Sequence, residues 1–301
     1  MADLQRGGID AALIETDGNR QVMPVAHMFT PFAEGAKALF AQAVEIACDM
    51  EHPQPHPVIA EAESIITSIH IGAVETLLRR EVVERASVEV IGYHGLMLAH
   101  RPERYWSWQM CDGHRLAELC EIDTVGDFRA DDIKVGGRGD PINTSYHRAL
   151  IAALDRTAGY LDLQDEARLT LIGAGGAPYS YPIPASVNAP SEFADSLAHV
   201  LNTAEQKPAA LLAGGALSQD QDLIEHLAAA TGLSVTPLDS LGWNAEAVEA
   251  EAMAYLAVRR LAILPIGFPG TTGAPYPVGG GMIIKGRFPE EEMLAQLKVK
   301  K

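Results

Sequence analysis

The chain has 301 residues, of which 48% are hydrophobic and 21% charged, and it carries a net charge of −17. That length suits one large or two ordinary domains, and the apolar share predicts a packed core rather than disorder. The acidic balance excludes a phosphate-backbone binder, which needs a basic surface.

Ile9–Glu15 reads as a strand, and Asp17-Gly18-Asn19 after it as a hairpin turn, because glycine and asparagine tolerate positive φ. Phe32–Ala47 is alanine-rich with apolar residues at helical spacing. His52–Pro57 carries three prolines and is predicted to be a loop. Val58–Arg80 reads as a long amphipathic helix, with Ile65, Ile69, Val74, Leu77 and Leu78 on one face. Val88–Tyr93 and Thr124–Phe128 are strand-like and predicted to share a sheet; Arg115–Cys120 and Tyr146–Ala153 read as helices. In the second half, Leu169–Ile172, Ala209–Leu212 and Leu233–Pro237 read as strands, the first two in one sheet. They alternate with helices at Ser191–Thr203, Asp220–Thr231 and Ala245–Leu261. The tail from Pro265 is rich in glycine and proline and ends in a polar segment expected to fray. This alternation predicts α/β architecture, and the proline-rich stretch Tyr179–Pro190 is the expected junction between two lobes.

Cys48, Cys111 and Cys120 form no CxxC pair, so a reduced, cytoplasmic setting is expected. The opening MADLQRGGID lacks the apolar segment of a signal peptide, and no uninterrupted apolar run is long enough to cross a bilayer.

Gly136-Gly137-Arg138-Gly139, Gly173–Gly176 and Gly214-Gly215 lie at strand ends or before helices. Each is either a tight turn or a loop whose backbone N–H groups reach phosphate oxygens. None is a Walker A sequence or a GxGxxG, which disfavours an NAD-type enzyme. His94 ends a strand and reads as a hydroxyl ligand, a base or a structural histidine. His100, His114 and His147 lack HxxxH spacing with an adjacent glutamate, so no metal site is expected. Asp127-Phe128-Arg129 sets a guanidinium and a carboxylate at a strand end, where arginine can hold a polar ligand or make a surface ion pair. Glu249 and Glu251, two apart on one helix, point to different faces, so that one can face a cleft while the other faces solvent; each by itself reads as a solvated helix residue.

Three blocks carry a family resemblance. They are Gly8–Gly18 (GIDAALIETDG), Val90–Leu150 with its HG, HRPER, DFRADD and YHRAL, and Leu241–Gly280 with GWNAEAVEAEAMAYLAVR and LPIGFPGTTGAPYPVGG. Together they resemble the anhydro-N-acetylmuramic acid kinases of peptidoglycan recycling. The resemblance implies an actin–hexokinase-like fold of two lobes with ribonuclease H-like sheets, residues 1–160 on the sugar side and 161–301 on the nucleotide side. It implies ATP-dependent phosphorylation of 1,6-anhydro-N-acetylmuramic acid to N-acetylmuramic acid 6-phosphate. A carboxylate base activates the ring-opening water, and Mg²⁺ accompanies ATP. It places Asp127, Arg129 and Glu249 near the sugar; His94 is expected in the same cleft with Arg138 and Asp140 at its rim, and Gly173, Gly175, Gly176, Gly214 and Gly215 are the candidate nucleotide-side glycines; a homodimer is compatible with it.

The chain departs from the family nearest the chemistry. The Gly-Thr-Ser-Leu-Asp-Gly phosphate loop is replaced by MADLQRGG, and the expectation is that this loop and its strand are lost. His-Gly-Gln-Thr has become His94-Gly95-Leu96-Met97, and Gly-Gln-Gly-Ala-Pro has become Gly137-Arg138-Gly139-Asp140-Pro141. Leu171-Ile172-Gly173-Ala174-Gly175-Gly176 stands where the family has Asn-Ile-Gly-Gly, and Ala213–Ala216 replaces Cys-Gly-Gly-Gly. The Phe-Asp-Thr-Gly-Pro-Gly-Asn motif, which supplies the family's base, is missing with several dozen residues, so a truncated C-terminal lobe is expected. Asp140 and Glu249 are the carboxylates left to substitute for that base. The alternative reading is a non-catalytic relative, a pseudokinase that keeps the fold for sugar binding or regulation.

Overall fold

The computed structural model describes residues 1–153, 157–164 and 166–286. The polar C-terminal segment expected to fray lies outside them. In chain order the elements are β1 (Ala2–Asp3), β2 (Gly8–Thr16), β3 (Val22–Pro31), α1 (Glu34–Cys48), α2 (Pro57–Arg80), β4 (Ile91–Gly92), β5 (Leu96–Arg101) and β6 (Trp106–Met110). There follow α3 (Gly113–Cys120), β7 (Thr124–Gly126), α4 (Ala130–Lys134), α5 (Thr144–Ala152), β8 (Ala158–Asp162), β9 (Arg168–Ile172) and β10 (Pro178–Pro182). The chain continues through α6 (Pro190–Thr203), β11 (Ala210–Gly214), α7 (Gln221–Thr231), β12 (Ser234–Pro237), α8 (Val248–Leu261) and β13 (Met282–Ile284). The protein is thus mixed α/β, with several sheets.

The N-terminal strands form the antiparallel order β1-β2-β3. The strand expected to be lost survives as a stub: Ala2 pairs with Ile9 and Asp3 with Gly8, closing a hairpin over residues 4–7. At the β2–β3 turn the Asp17 carboxylate accepts N–H bonds from Asn19, Arg20 and Gln21 at 2.8–2.9 Å. Helix α2 packs on this sheet and α1 on α2 and β5, burying Ile9, Phe40, Ala43, Ile59, Ala62 and Ile66 in one core. Helix α2 is long and apolar enough to cross a membrane by length and composition. Here it packs against α1, α3 and β2, its start capped by the ring of His56.

Strands β4 and β7 pair in parallel and β13 joins β7 antiparallel, so the two strands expected to share a sheet do so. The second sheet runs β10-β9-β8-β11-β12. Its first three strands form an antiparallel meander, and β8, β11 and β12 are parallel. β9 and β11 therefore share this sheet, as expected, with β8 between them. Phe193, Leu197, Leu211, Leu223 and Leu227 fill the core beneath α6 and α7. Asp220 caps α7 by accepting the Leu223 N–H at 3.1 Å.

Two sequence expectations change. The proline-rich stretch read as a junction begins with β10, an edge strand paired along its length with β9. Prolines sit at both its ends, which an edge strand tolerates. The two chain halves also do not pack separately. β8 straddles the boundary expected at residue 160, while α8 and β13, late in the chain, return to the first half. Helix α8 lies across β2 and β4. A Cβ built on Gly92 would stand 1.9 Å from the Met253 carbonyl oxygen, so only glycine permits this approach. A central core of Val125, Phe128, Tyr146, Tyr160, Leu212, Tyr255 and Leu256 joins α5, α8 and both sheet systems.

Candidate active site

Where the N-terminal hairpin, α5, β8 and the start of α8 face one another, a cleft of about 710 Å³ opens. Its volume falls in the range of small-molecule sites. His94, Arg129, Asp140, Asn143, His147, Asp162, Arg168, Gly215 and Glu249 line it.

The loop between α4 and α5 is built around Asp132. This fully buried carboxylate accepts the Gly139 N–H at 2.7 Å and the Thr272 hydroxyl at 2.6 Å. The loop so held presents Asp140 to Arg129, whose Nη1 donates to the Gly139 carbonyl at 2.7 Å and to Asp140 Oδ1 at 2.5 Å. Arg168, on β9, reaches Asp140 at 3.9 Å. Burial alone would raise the Asp140 carboxyl, but Arg129 outweighs it, aided by Arg168 and His100, and holds the group below the usual carboxylate range. Asp140 is therefore a fixed negative charge.

Asp162 ends β8 and Glu249 opens α8, and the two carboxyls face each other across the cleft with His147 of α5. Asn143 Nδ2 donates to Glu249 Oε1 at 2.6 Å, and Gln164 Nε2 to Asp162 Oδ2 at 3.4 Å. Both carboxyls are held above their ordinary range, by burial first; for Glu249 the nearby Asp162 charge adds to it. His147 stacks on Tyr160 with ring centroids 3.9 Å apart, and burial pushes its imidazole down to about 3.

His94 is buried, its Nδ1 against the Gly95 carbonyl at 2.8 Å and its Nε2 against the Gln109 amide at 3.0 Å. Burial drives its pKa down to about 3, so it is a neutral wall group. From the N-terminal hairpin, Arg6 enters the cleft lining, paired with Asp10 at 3.1 Å and Glu246 at 3.3 Å.

Of the sequence-expected sugar residues, His94, Arg129 and Glu249 thus come together, with Asp140 beside Arg129. Asp127 and Arg138 do not join the lining. The chain turns at Asp127, with φ +52°, and its side chain stays exposed. Arg138 donates to the Thr271 carbonyl at 2.8 Å, tying its loop to residues 268–272. Among the glycines, Gly215 lines the cleft and Gly214 precedes it at the end of β11. Gly173, Gly175 and Gly176 instead make the β9–β10 hairpin turn, where Gly175 and Gly176 have φ near +80°. The tight-turn alternative describes this loop. Glu251 does not face solvent; it is buried and accepts the Tyr146 hydroxyl at 2.5 Å.

Sequence reasoning missed Asp162, Arg168 and Asn143 and set His147 aside. Histidine and the two acids come from three separate elements, so no spacing rule could unite them. The one available signal was the apolar run Tyr160-Leu161 ending in an acid.

A Cβ on Gly215 would meet Asp162 Oδ1 at 2.9 Å, so its bare backbone makes a cradle beside the carboxylates. A polyphosphate there would face Asp140, Asp162 and Glu249, a donor set that fits a hard divalent cation such as Mg²⁺ between ligand and protein.

The family model for anhydro-N-acetylmuramic acid kinase matches residues 1–187 and 191–286. Among similar proteins is an anhydro-N-acetylmuramic acid kinase of Rhizorhabdus wittichii, 33% identical over 353 positions covering 94% of this chain and 96% of that protein. Roughly 70 of those positions therefore lie opposite gaps in this chain. Proteins of the same name from Zymomonas mobilis and Methylorubrum extorquens are 30% and 28% identical, each over 94% of this chain and 98% and 97% of their own lengths. With nearly its whole described length inside the family model, the chain belongs to the anhydro-N-acetylmuramic acid kinase family.

Proposed function

We propose that this chain is a divergent, slow kinase of its family, binding 1,6-anhydro-N-acetylmuramic acid in the cleft, where water adds at C1 and breaks the C1–O6 bridge while the released O6 takes the γ-phosphoryl group of ATP and ADP leaves. The supporting observation is the convergence on one cleft of Arg129 and Asp140, from one stretch of chain, with Glu249, from a distant one. Arg129 and Glu249 are two of the positions that the resemblance assigns to the sugar. Asn143 and Arg129 hold the two acids in place, so they accept hydroxyl protons of a bound sugar without rearrangement. ATP would lie toward Gly214 and Gly215, and Mg²⁺ would offset the charge between its phosphates and the cleft carboxylates. A two-lobed actin–hexokinase-like fold and a cytoplasmic location belong to the same reading. The family match breaks at residues 188–190, which supports a deletion in the C-terminal lobe where the Asp-Thr-Gly-Pro-Gly-Asn motif would stand.

Slow turnover follows from what is missing. Loss of a general base costs about 10²–10⁴-fold, and each lost charge-stabilising donor about 10²–10³-fold. A second reading, a non-catalytic sugar binder, is favoured by the N-terminal hairpin. There Arg6, standing in the family's phosphate loop, is already engaged by Asp10 and Glu246. Calorimetry with the sugar alone and with ATP·Mg²⁺ alone, beside an assay of sugar-dependent ADP release, separates the two. The kinase binds both and releases ADP; the binder takes sugar and releases none. A protein that binds neither ligand refutes both readings.

A further inference from the structure

We propose that His147, Asp162 and Glu249 form a binding site for one divalent first-row transition-metal cation, held by the protein itself without nucleotide. The three donor atoms lie within 4.8 Å of one another. Donors on a common ion at about 2.1 Å stand at most about 4.2 Å apart, so side-chain adjustments of under about an ångström close the set.

The orientation of each ligand carries the argument. His147 is 2% exposed and its Nδ1 lies 3.0 Å from the Thr170 hydroxyl. With Nδ1–H donated to Thr170, the lone pair sits on Nε2, a buried atom with no hydrogen-bond partner among the described residues. Asp162 uses Oδ2 toward Gln164 and leaves Oδ1 buried without a partner among the described residues. Glu249 uses Oε1 toward Asn143 and leaves its second oxygen to the cleft. Each ligand is thus steered by a neighbour through one atom and offers another, the arrangement that outer partners impose on metal ligands. Two buried atoms without partners among the described residues, on side chains whose ligand atoms gather within 4.8 Å, are costly unless something occupies the space between them.

The donor set selects the ion. One imidazole and two carboxylates suit Mn²⁺, Fe²⁺ or Zn²⁺ and leave positions open to water or an incoming ligand. Mg²⁺ prefers six oxygens and keeps most of its water, so it gains little from the imidazole. The proposal does not rest on kinase activity and stands whether or not the sugar is phosphorylated.

The test uses the full-length, metal-stripped chain with MnCl₂ and no nucleotide, following free Mn²⁺ by electron paramagnetic resonance, with ZnCl₂ calorimetry in parallel. The expected result is one saturable site per chain. Asp162→Asn and His147→Gln should each weaken it at least tenfold, and an equal concentration of Mg²⁺ should not displace Mn²⁺. Thermal melts establish that the variants fold; if His147→Gln does not, the near-isosteric Asp162→Asn decides. The absence of saturable Mn²⁺ and Zn²⁺ binding overturns the proposal, as does undiminished binding by a folded Asp162→Asn protein or displacement by equimolar Mg²⁺.

Discussion

Replacing Arg259 by methionine should destabilise the protein by about 3–5 kcal/mol. Arg259 is 2% exposed on α8 and has no carboxylate within its hydrogen bonds. Its Nη1 donates to the Gly18 carbonyl at 2.7 Å, while Nε and Nη2 share the Pro265 carbonyl at 3.0 and 2.5 Å. One guanidinium therefore ties the β2–β3 turn, the helix and the segment after it together. Methionine keeps much of the apolar volume but donates nothing, so two carbonyls lose a charged donor. At about 1.5–3 kcal/mol for each charge-assisted bond, less the desolvation that a buried cation no longer suffers, the estimate follows. With an unfolding entropy of about 2.1 cal/mol/K per residue, a 301-residue chain melting as one unit should lose roughly 6 °C. Arg259→Lys should recover little, because one ammonium cannot reach both carbonyls in the fork geometry of arginine. Urea unfolding followed by circular dichroism, with calorimetric melts, measures the effect. A midpoint for Arg259→Met within error of the parent would refute the reasoning.

Three further outcomes are expected. His70 is 5% exposed in α2, with Nδ1 on the Ile66 carbonyl, and burial pushes its pKa from 6.5 down to about 4. The unfolded chain takes up a proton that the folded chain refuses, so this contribution is complete above pH 6.5 and about 3 kcal/mol of it is lost as pH falls towards 4. His70→Leu should flatten the stability profile across that window, and an unchanged slope counts against the assignment. Arg129→Ala should weaken sugar binding by at least ~1.5 kcal/mol in calorimetry, the scale of one charge-assisted hydrogen bond, and unaltered affinity would remove Arg129 from the site. Sugar-dependent ADP release should stay below about 10⁻³ s⁻¹, some four orders beneath an ordinary enzyme. Turnover near 10 s⁻¹ that Glu249→Gln or Asp140→Asn abolishes would show that the cleft has recruited another base.

The helices were legible because their apolar faces repeat over several turns, and α1, α2, α6, α7 and α8 lie within a few residues of their expected bounds. Strands were harder where composition works against them. β8 begins Ala158-Gly159, poor strand formers, and is ordered by pairing on both sides with β9 and β11. β3 contains Pro24 and ends at Pro31, and β10 is bracketed by prolines, so local signals argued against both. Within the site, Arg129, Asp140 and Glu249 were found through family motifs. Asp162 was missed with its strand, and His147 was dismissed by a rule that looks only along one helix. A constellation assembled by tertiary contacts leaves no periodic trace in sequence.

The contact of α8 with Gly92 has a mechanical consequence. With the Met253 carbonyl seated where a side chain would begin, the helix cannot slide over β4 without breaking that seat. Glu249 therefore travels with the β4–β7 pair, whereas Asp162 travels with the central strand of the other sheet. The gap between those two side chains thus registers how β4 and β8 sit relative to each other. That gap is a built-in ruler, and spin labels at exposed Ile263, just after α8, and on the outer face of α7 would read its graduations in solution.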